Sequence, residues 1–77
     1  MGQRGLAKKF GAVIRRLRLQ KGMSQEQFSD ICGLHRTYVG SIERGEKTVT
    51  IETANKLAMA FGLTLVQLFR LLEKEST

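Results

Sequence analysis

Apolar residues recur along the chain at the spacing of an α-helix, in five segments that short polar stretches separate. In the first segment, about Leu6 to Gln20, they fall at i, i+4, i+7, i+8 and i+11, which places them on one helical face. These residues are Leu6, Phe10, Val13, Ile14 and Leu17. Gly22 ends this helix, because glycine adopts the left-handed conformation that a helix terminus often requires. The pattern predicts a first helix with one buried face.

A second and a third short helix are predicted on either side of Gly33. Ser24 caps the second helix, and Gln27 three residues later completes a capping box. The inward stripe of this helix is Phe28, Ile31 and Cys32. The third helix runs from about His35 to Arg44 and ends at Gly45.

The third helix has two sides of different character. At about 100° per residue, Tyr38, Val39 and Ile42 share the side that we expect to face the core. The other side has no bulky apolar residue and consists of Arg36, Thr37, Gly40, Ser41 and Arg44. Two short helices around a Gly-containing turn, the second with a polar outer side, are typical of a helix-turn-helix. We place this motif at about residues 24–45.

Two further helices complete an all-α fold without an internal repeat. Thr50 caps the fourth helix, Ile51 to Phe61, whose stripe is Ile51, Ala54, Leu57, Ala58 and Phe61. Thr64 and Gln67 form a capping box for the fifth helix, Leu65 to about Lys74. Apolar residues cover about 220° of the circumference of the fifth helix, whereas one packing partner needs roughly 100°. We therefore expect this helix to have two packing partners.

The excess apolar surface of the fifth helix predicts a homodimer. On a monomer this surface would be an exposed patch, and one helix-turn-helix of this size would make few base contacts. In a two-fold dimer the same residues meet their own copies, and the third helices lie about 34 Å apart, one turn of DNA. The interface candidates are Leu65, Leu68, Phe69 and Leu72. The pattern does not separate those that face the partner from those that face the core.

Charge and length restrict the class of protein. Thirteen basic and seven acidic residues give a net charge of +6, which favours a polyanionic partner. Seventy-seven residues are expected to form one small domain over residues 1–77. Cys32 is the single cysteine, which argues against a disulfide framework. Because no long apolar run is present, we expect no signal peptide or membrane segment, and a cytoplasmic protein.

Residues 24–63, SQEQFSDICGLHRTYVGSIERGEKTVTIETANKLAMAFGL, resemble the DNA-binding domain of the lambdoid phage repressors. The stretch LHRTYVGSIERGEK, followed by a capped helix, is most similar to the small controller proteins of bacterial restriction–modification systems. The resemblance covers about residues 6–74. It implies a compact five-helix bundle, with the third helix in the major groove and a dimer formed through the C-terminal helices.

The resemblance implies a sequence-specific transcriptional regulator that binds a pseudo-palindromic operator in double-stranded DNA. Such a controller acts on its own promoter and on an adjacent endonuclease gene, activating at low occupancy and repressing at high occupancy. When bound, it would be associated with the nucleoid. The alternative is a prophage-type repressor, or an antitoxin whose main partner is another protein.

The outer side of the third helix supplies the candidates for base contacts. Arg36 lies in the first turn and can donate twice to guanine O6 and N7. Thr37 can contact a base or a thymine methyl group, and Ser41 lies one turn further along. Arg44 can reach a base or a phosphate, or it neutralises the helix C-terminus instead.

Phosphate contacts are expected from the residues around this helix. Gln25 begins the second helix, where its amide and the free N–H groups suit a phosphate. Tyr38 flanks the core and has a hydroxyl that can meet a phosphate. Lys47 and Thr48 precede the fourth helix and would form the other anchor. Such contacts fix the register on DNA but carry no sequence information.

Four charged residues have other interpretations. Arg18 resembles the family's helix 1 arginine that pairs with a helix 3 glutamate, here Glu43, so we expect a structural ion pair. Glu26 and Asp30 lie at i and i+4 on the second helix, where some relatives touch RNA polymerase. They are otherwise a helix N-terminal acid and a solvated aspartate.

Two residues depart from the family's pattern. His35 stands where a better cap, such as Asp or Thr, is common. Gly40 lies inside the third helix at a cost of about 1 kcal/mol relative to alanine, and we interpret it as a gap that lets the helix approach DNA closely.

Enzymatic chemistry is not indicated, and no cofactor or metal is predicted. Cys32 and His35 supply two possible ligands, too few for a closed zinc site. No glycine-rich phosphate loop or nucleophile signature occurs. The competing classes are a protein-interaction module and a non-specific RNA-binding protein that uses the charge of the first helix.

Overall fold

The computed structural model describes residues 3–75, with side chains from residue 5 onward. Within that range it consists of five α-helices and contains no β-strand. The helices are α1 (Gln3–Gln20), α2 (Gln25–Cys32), α3 (Arg36–Glu43), α4 (Ile51–Ala60) and α5 (Leu65–Lys74). The predicted all-α class is confirmed. The start of α1 lies three residues before the predicted one, because polar residues and glycine extend the helix beyond its apolar stripe.

The helix ends are formed by the residues that the pattern predicts. The hydroxyl of Ser24 accepts the Gln27 N–H at 3.0 Å, and the Gln27 side chain accepts the Ser24 N–H at 2.8 Å. Thr64 and Gln67 form the same reciprocal pair at the start of α5. Left-handed glycines with φ between 70° and 76° follow α1, α2, α3 and α4. These signals therefore fix both the number of helices and the short turns between them.

Every helix contributes to one hydrophobic core. The largest fully buried side chains are Val13, Ile14, Phe28, Val39, Ile42, Leu57 and Leu68. The rings of Phe28 and Phe61 stack with their centroids 4.6 Å apart and bring α2 against the C-terminal end of α4. Burying one side chain of this kind contributes about 1.5–3 kcal/mol to folding. The core thus holds α2 and α3 in a fixed relation to the rest of the bundle.

Three residues assigned to buried stripes lie on the surface instead, and they are Leu6, Ile31 and Ile51. In α2 the buried arc extends from Phe28 toward Ser29, whose hydroxyl donates to the Glu26 carbonyl oxygen at 2.8 Å. Ile31 lies about 160° from Ser29 around the helix and is therefore exposed. Leu6 and Ile51 lie in the first turns of their helices, where they border a surface groove.

The length and hydropathy of the helices bear on whether any of them could span a membrane. Among residues 3–75 no single helix is long and apolar enough to cross a bilayer. By length and composition alone, α4 and α5 pass that test as a pair, but the pair is bent by 93°. The apolar residues Leu57 and Leu68 of this pair are fully buried in the core.

Candidate nucleic-acid interface

The start of α3 is capped by a histidine. The ring Nδ1 of His35 accepts the backbone N–H of Thr37 at 3.1 Å. This is the bond that an aspartate or threonine hydroxyl would accept at an N-cap. His35 therefore supplies the N-cap, and the unusual residue does not prevent α3 from beginning at Arg36.

A buried ion pair anchors the other end of α3. The Arg18 guanidinium donates to both carboxylate oxygens of Glu43, Nε to Oε2 at 2.7 Å and Nη2 to Oε1 at 3.0 Å. It also donates to the Met23 carbonyl oxygen at 2.8 Å. The hydrogen bond to Glu43 raises the pKa of Arg18 above its usual range. The predicted pair is present, and it joins α1, the turn before α2 and the last residue of α3.

The base-contact candidates lie on the outer side of α3. Arg36, Thr37 and Arg44 are exposed, and Ser41 is half-buried. The Ser41 hydroxyl donates to the Thr37 carbonyl oxygen at 3.1 Å, one turn back along its own helix. The structure thus brings these four side chains to one polar face, and their contacts to bases stay a prediction.

Both arginines of this face are paired with acids. The Arg36 guanidinium lies 3.9 Å from the Glu26 carboxylate, and both groups are exposed. Arg44 donates to Glu46 at 2.9 and 3.2 Å, which raises the pKa of Arg44 and lowers the pKa of Glu46. Exposed pairs of this kind contribute little to stability, because solvent screens both charges. A DNA phosphate or guanine can therefore replace either acid at small cost.

Gly40 is buried although it lies on the polar side of α3. A Cβ atom at this position would lie 3.1 Å from Nη1 of Arg44 and 3.4 Å from Oε1 of Gln25. The Gln25 amide also donates to Glu43 Oε1 at 3.1 Å. The space beside Gly40 is bordered by the side chains of Gln25 and Arg44, and its role in the approach of DNA stays a prediction.

The phosphate-contact candidates lie on different elements around α3. Gln25 is half-buried at the first position of α2, and Tyr38 is half-buried and packs against the core. Lys47 and Thr48 are exposed in the loop between α3 and α4. This loop ends at Thr50, whose hydroxyl accepts the Thr53 N–H at 3.1 Å and so caps α4. The phosphate contacts of these four residues stay predictions.

The candidates on α5 separate into two groups. Leu68 is fully buried in the core, so its assignment to a dimer interface is wrong. Phe69 is 39% exposed, and Leu65 and Leu72 are half-buried. Val66 is also exposed, at 59%. The side of α5 that remains open therefore includes Phe69 and Val66.

An apolar groove of about 420 Å³ adjoins this side of α5. Residues of α1, α4, α5 and the loop between α3 and α4 line it, and the apolar ones include Leu6, Ile51, Phe69 and Leu72. The loop contributes the phosphate candidates Lys47 and Thr48. Leu6 and Ile51, which the periodicity assigned to the core, thus share one surface with the interface candidate Phe69. Helical periodicity cannot reveal such a surface, because its members come from three helices and a loop.

Among the described residues, no group of three or more histidine, cysteine, aspartate and glutamate side chains could hold a metal ion. Cys32 is buried, and desolvation raises the pKa of its thiol. This combination disfavours the thiolate that metal binding requires.

Comparisons with known proteins agree with this geometry. A family model described as helix-turn-helix matches residues 14–68. The control protein C.MunI of Mycoplasma sp is 40% identical over 68 residues, which cover 87% of this chain and 92% of that protein. The control protein C.BamHI of Bacillus amyloliquefaciens is 44% identical over 55 residues, which cover 70% and 68% of the two chains.

Solved structures give the same result. The restriction–modification controller protein C.Esp1396I superposes with a TM-score of 0.82 at 36% identity, over 91% of this chain and 90% of that one. The controller protein C.AhdI from Aeromonas hydrophila superposes with a TM-score of 0.77 at 43% identity, over 82% and 96%. A C.Esp1396I tetramer bound to its natural 35-base-pair operator matches with a TM-score of 0.84 at 36% identity, over 91% and 92%. The resemblance predicted from the sequence is confirmed: the chain belongs to the helix-turn-helix family and, within it, to the control proteins of restriction–modification systems.

Proposed function

We propose that this protein is a transcriptional regulator that binds a pseudo-palindromic operator with the outer side of α3. The observation that carries the proposal is the arrangement of α3 itself. Its polar side is open, its N-terminus is capped by His35, and its C-terminal end is anchored by the buried Arg18–Glu43 pair. A fixed helix with a polar open face suits insertion into the major groove, where base edges are read. The structure of the relative C.Esp1396I in complex with its natural operator supports operator binding by this chain.

Specificity and affinity come from different residues in this proposal. Arg36, in the first turn of α3, reads a guanine through two hydrogen bonds, and Thr37, Ser41 and Arg44 extend the contact along the groove. Gln25 on α2 and Lys47 in the following loop bind phosphates, together with Tyr38 and Thr48. The net charge of +6 strengthens this sequence-independent part of the binding, which salt weakens.

The operator is bound by a two-fold dimer. Leu6, Ile51 and Phe69 line one groove beside α5. All three side chains are exposed, Ile51 at 69% and Leu6 at 56%. Three large apolar side chains on one small protein form the kind of patch that marks an interface. Leu72 lines the groove and Leu65 lies one turn before Phe69 on α5, and a second copy would cover these apolar side chains through an isologous contact.

The regulated genes follow from the family. We infer that the protein acts in the cytoplasm, on nucleoid DNA, at its own promoter and at an adjacent endonuclease gene. It requires neither a cofactor nor an enzymatic activity. Activation at low occupancy would use the exposed acids Glu26 and Asp30 of α2 to contact RNA polymerase, and repression follows when further copies bind. A promoter–reporter assay at graded protein levels should rise and then fall, and a flat response would contradict this regulation.

Binding itself is tested with the duplex that precedes the protein's own coding sequence. At 150 mM salt we expect this duplex to bind about 10³-fold more tightly than a scrambled duplex of the same length, the lower end for specific regulators. Equal affinity for the two duplexes would contradict sequence-specific binding. Retention of a second protein instead of DNA would favour the antitoxin alternative.

A further inference from the structure

The chain reverses direction directly after α3 and brings Glu46 back beside Arg44. Gly45, between the two, is left-handed with a φ of 75°. The backbone N–H of Glu46 donates to the Ser41 carbonyl oxygen at 3.0 Å, which closes the end of α3. A Cβ at Gly45 would lie 2.8 Å from the Cα of Lys8, so α1 packs against this turn. The position of the Glu46 backbone is therefore set by the end of α3 and by α1.

The Glu46 carboxylate occupies one edge of the Arg44 guanidinium. Nε donates to Oε2 of Glu46 at 2.9 Å, and Nη2 donates to Oε1 at 3.2 Å. Because a guanidinium carries five N–H donors, two on Nη1 and one on Nη2 remain available. Nη1 lies 3.1 Å from the position that a Cβ of Gly40 would occupy, one turn back along α3. The available donors of Arg44 thus lie on the same polar side of α3 as the other base-contact candidates.

Guanine and phosphate differ as partners for a guanidinium that already holds a carboxylate. The O6 and N7 atoms of guanine are uncharged acceptors, so they can accept from the free edge of Arg44 while Glu46 stays bonded. A phosphate is an anion, and its approach would place a second negative charge beside that of Glu46. Like charges at an interface act against a competing ligand. Solvent screens the Glu46 charge in the free protein, but the repulsion is stronger where DNA expels water.

We propose that Glu46 determines sequence specificity by orienting Arg44 toward a base edge and by repelling phosphate from its guanidinium. This inference rests on the proposed function, since it concerns the same DNA-binding face. Glu46 is a positioning residue, because it acts through Arg44 and does not itself touch DNA. It decides between the base contact and the phosphate contact that the sequence alone leaves open for Arg44. On a duplex without the correct base, the charge of Glu46 lowers the affinity.

A double-mutant cycle of Glu46 and Arg44 tests the inference. The four proteins are the wild type, Glu46→Ala, Arg44→Ala and the variant with both changes, each titrated with the operator duplex and a scrambled duplex over a series of salt concentrations. Glu46→Ala should bind the scrambled duplex more tightly, with a salt slope steeper by about 0.9 for each Arg44 that gains a phosphate. The ratio of operator to scrambled affinity should fall about tenfold, within the range that one bidentate base contact provides. When Arg44 is already alanine, Glu46→Ala should leave this ratio unchanged.

Two further variants separate the proposed role from a general effect of charge. Glu46→Gln keeps an acceptor for Arg44 but removes the negative charge, so its salt slope for the scrambled duplex should steepen as that of Glu46→Ala does. Asp30→Ala is the matched control, because it removes the same charge from an exposed position on α2. RNA polymerase, the partner proposed for Asp30, is absent from this measurement. Asp30→Ala should therefore keep the affinity ratio of the wild type.

The outcomes distinguish the inference from the function on which it rests. Equal affinity of the wild type for the two duplexes would overturn the proposed function and this inference with it. Specific binding by the wild type, combined with an unchanged affinity ratio in Glu46→Ala, would overturn the inference alone. The same fall in the ratio when Arg44 is alanine would also overturn it, because Glu46 would then act without Arg44. An equal fall in Asp30→Ala would reduce the effect to net charge and would likewise overturn the inference.

Discussion

A methyl group added to Gly11 would lie 2.2 Å from the carbonyl oxygen of Ile42, so α1 and α3 cross with their backbones in contact. The Glu43 carbonyl oxygen would lie only 2.7 Å away. Neither neighbour is a flexible side chain, and the helices would have to move apart. Gly11→Ala should therefore lower the free energy of unfolding by about 1–3 kcal/mol, as overpacking does, despite the better helix propensity of alanine.

Urea unfolding followed by circular dichroism measures this effect. The control is Gly5→Ala on the same helix, where the added methyl group has open space and should stabilise the protein. A Gly11→Ala protein as stable as this control would contradict the close crossing of α1 and α3.

Helical periodicity predicted the extents of the helices more accurately than it predicted which side of each helix is exposed. Capping boxes at Ser24 and Thr64 and the glycines after the first four helices are local signals, and local signals suffice to place these helix ends. Which side of a helix is buried depends on its neighbours. Ser29 is buried in α2 and Ile31 is exposed, an outcome that the identity of the two residues alone does not indicate.

The candidate site shows the same division. The outer side of α3 and the Arg18–Glu43 pair could be predicted, the first from helical spacing and the second from a family resemblance. The contact of Gln25 with Gly40 and the groove shared by Leu6 and Ile51 could not. Each joins residues that are far apart in sequence, and their proximity follows from the packing of whole helices.

The buried thiol of Cys32 predicts a loss of stability at alkaline pH. Desolvation raises the pKa of the thiol in the folded protein, so the folded state keeps a proton that the unfolded state releases. The contribution of the buried thiol to the free energy of unfolding is fully present below the pKa of the thiol in the unfolded chain. It is lost as the pH rises from that value toward the pKa of the thiol in the folded protein. Unfolding free energies of the wild type and of Cys32→Ala, measured from pH 7 to pH 10, should therefore converge. A constant difference would show that burial does not perturb this group.

Arg36 and Lys47 should affect binding in different ways. Arg36→Ala removes the proposed contact to a base edge, so it should weaken operator binding by about 1–3 kcal/mol and relax the preference at one base pair. Lys47→Ala removes the proposed phosphate contact, so it should weaken all duplexes alike and lower the salt slope by about one. Titration of operator and scrambled duplexes at several salt concentrations separates the two. If Arg36→Ala weakened both duplexes equally, Arg36 would be a phosphate contact.

Variants of Phe69 and Leu68 distinguish the proposed dimer surface from the core. Phe69→Glu places a charge on the exposed side of α5 and should dissociate the dimer while the helical circular dichroism is retained. Leu68→Ala removes a fully buried side chain and should cost about 2–5 kcal/mol of stability, the usual range for such a change. Sedimentation at micromolar concentration gives the oligomeric state of each variant. A folded Phe69→Glu dimer would exclude this residue from the interface.

The most direct test of the central claim is to select duplexes from a random DNA pool by their affinity for the wild-type protein. A two-fold dimer that reads the major groove with α3 should enrich an inverted repeat whose half-sites are centred about 10 base pairs apart, one turn of the double helix. The enriched sequence should contain a guanine in each half-site that Arg36→Ala no longer selects. Enrichment of no sequence, or of a single motif without an inverted copy, would contradict the account.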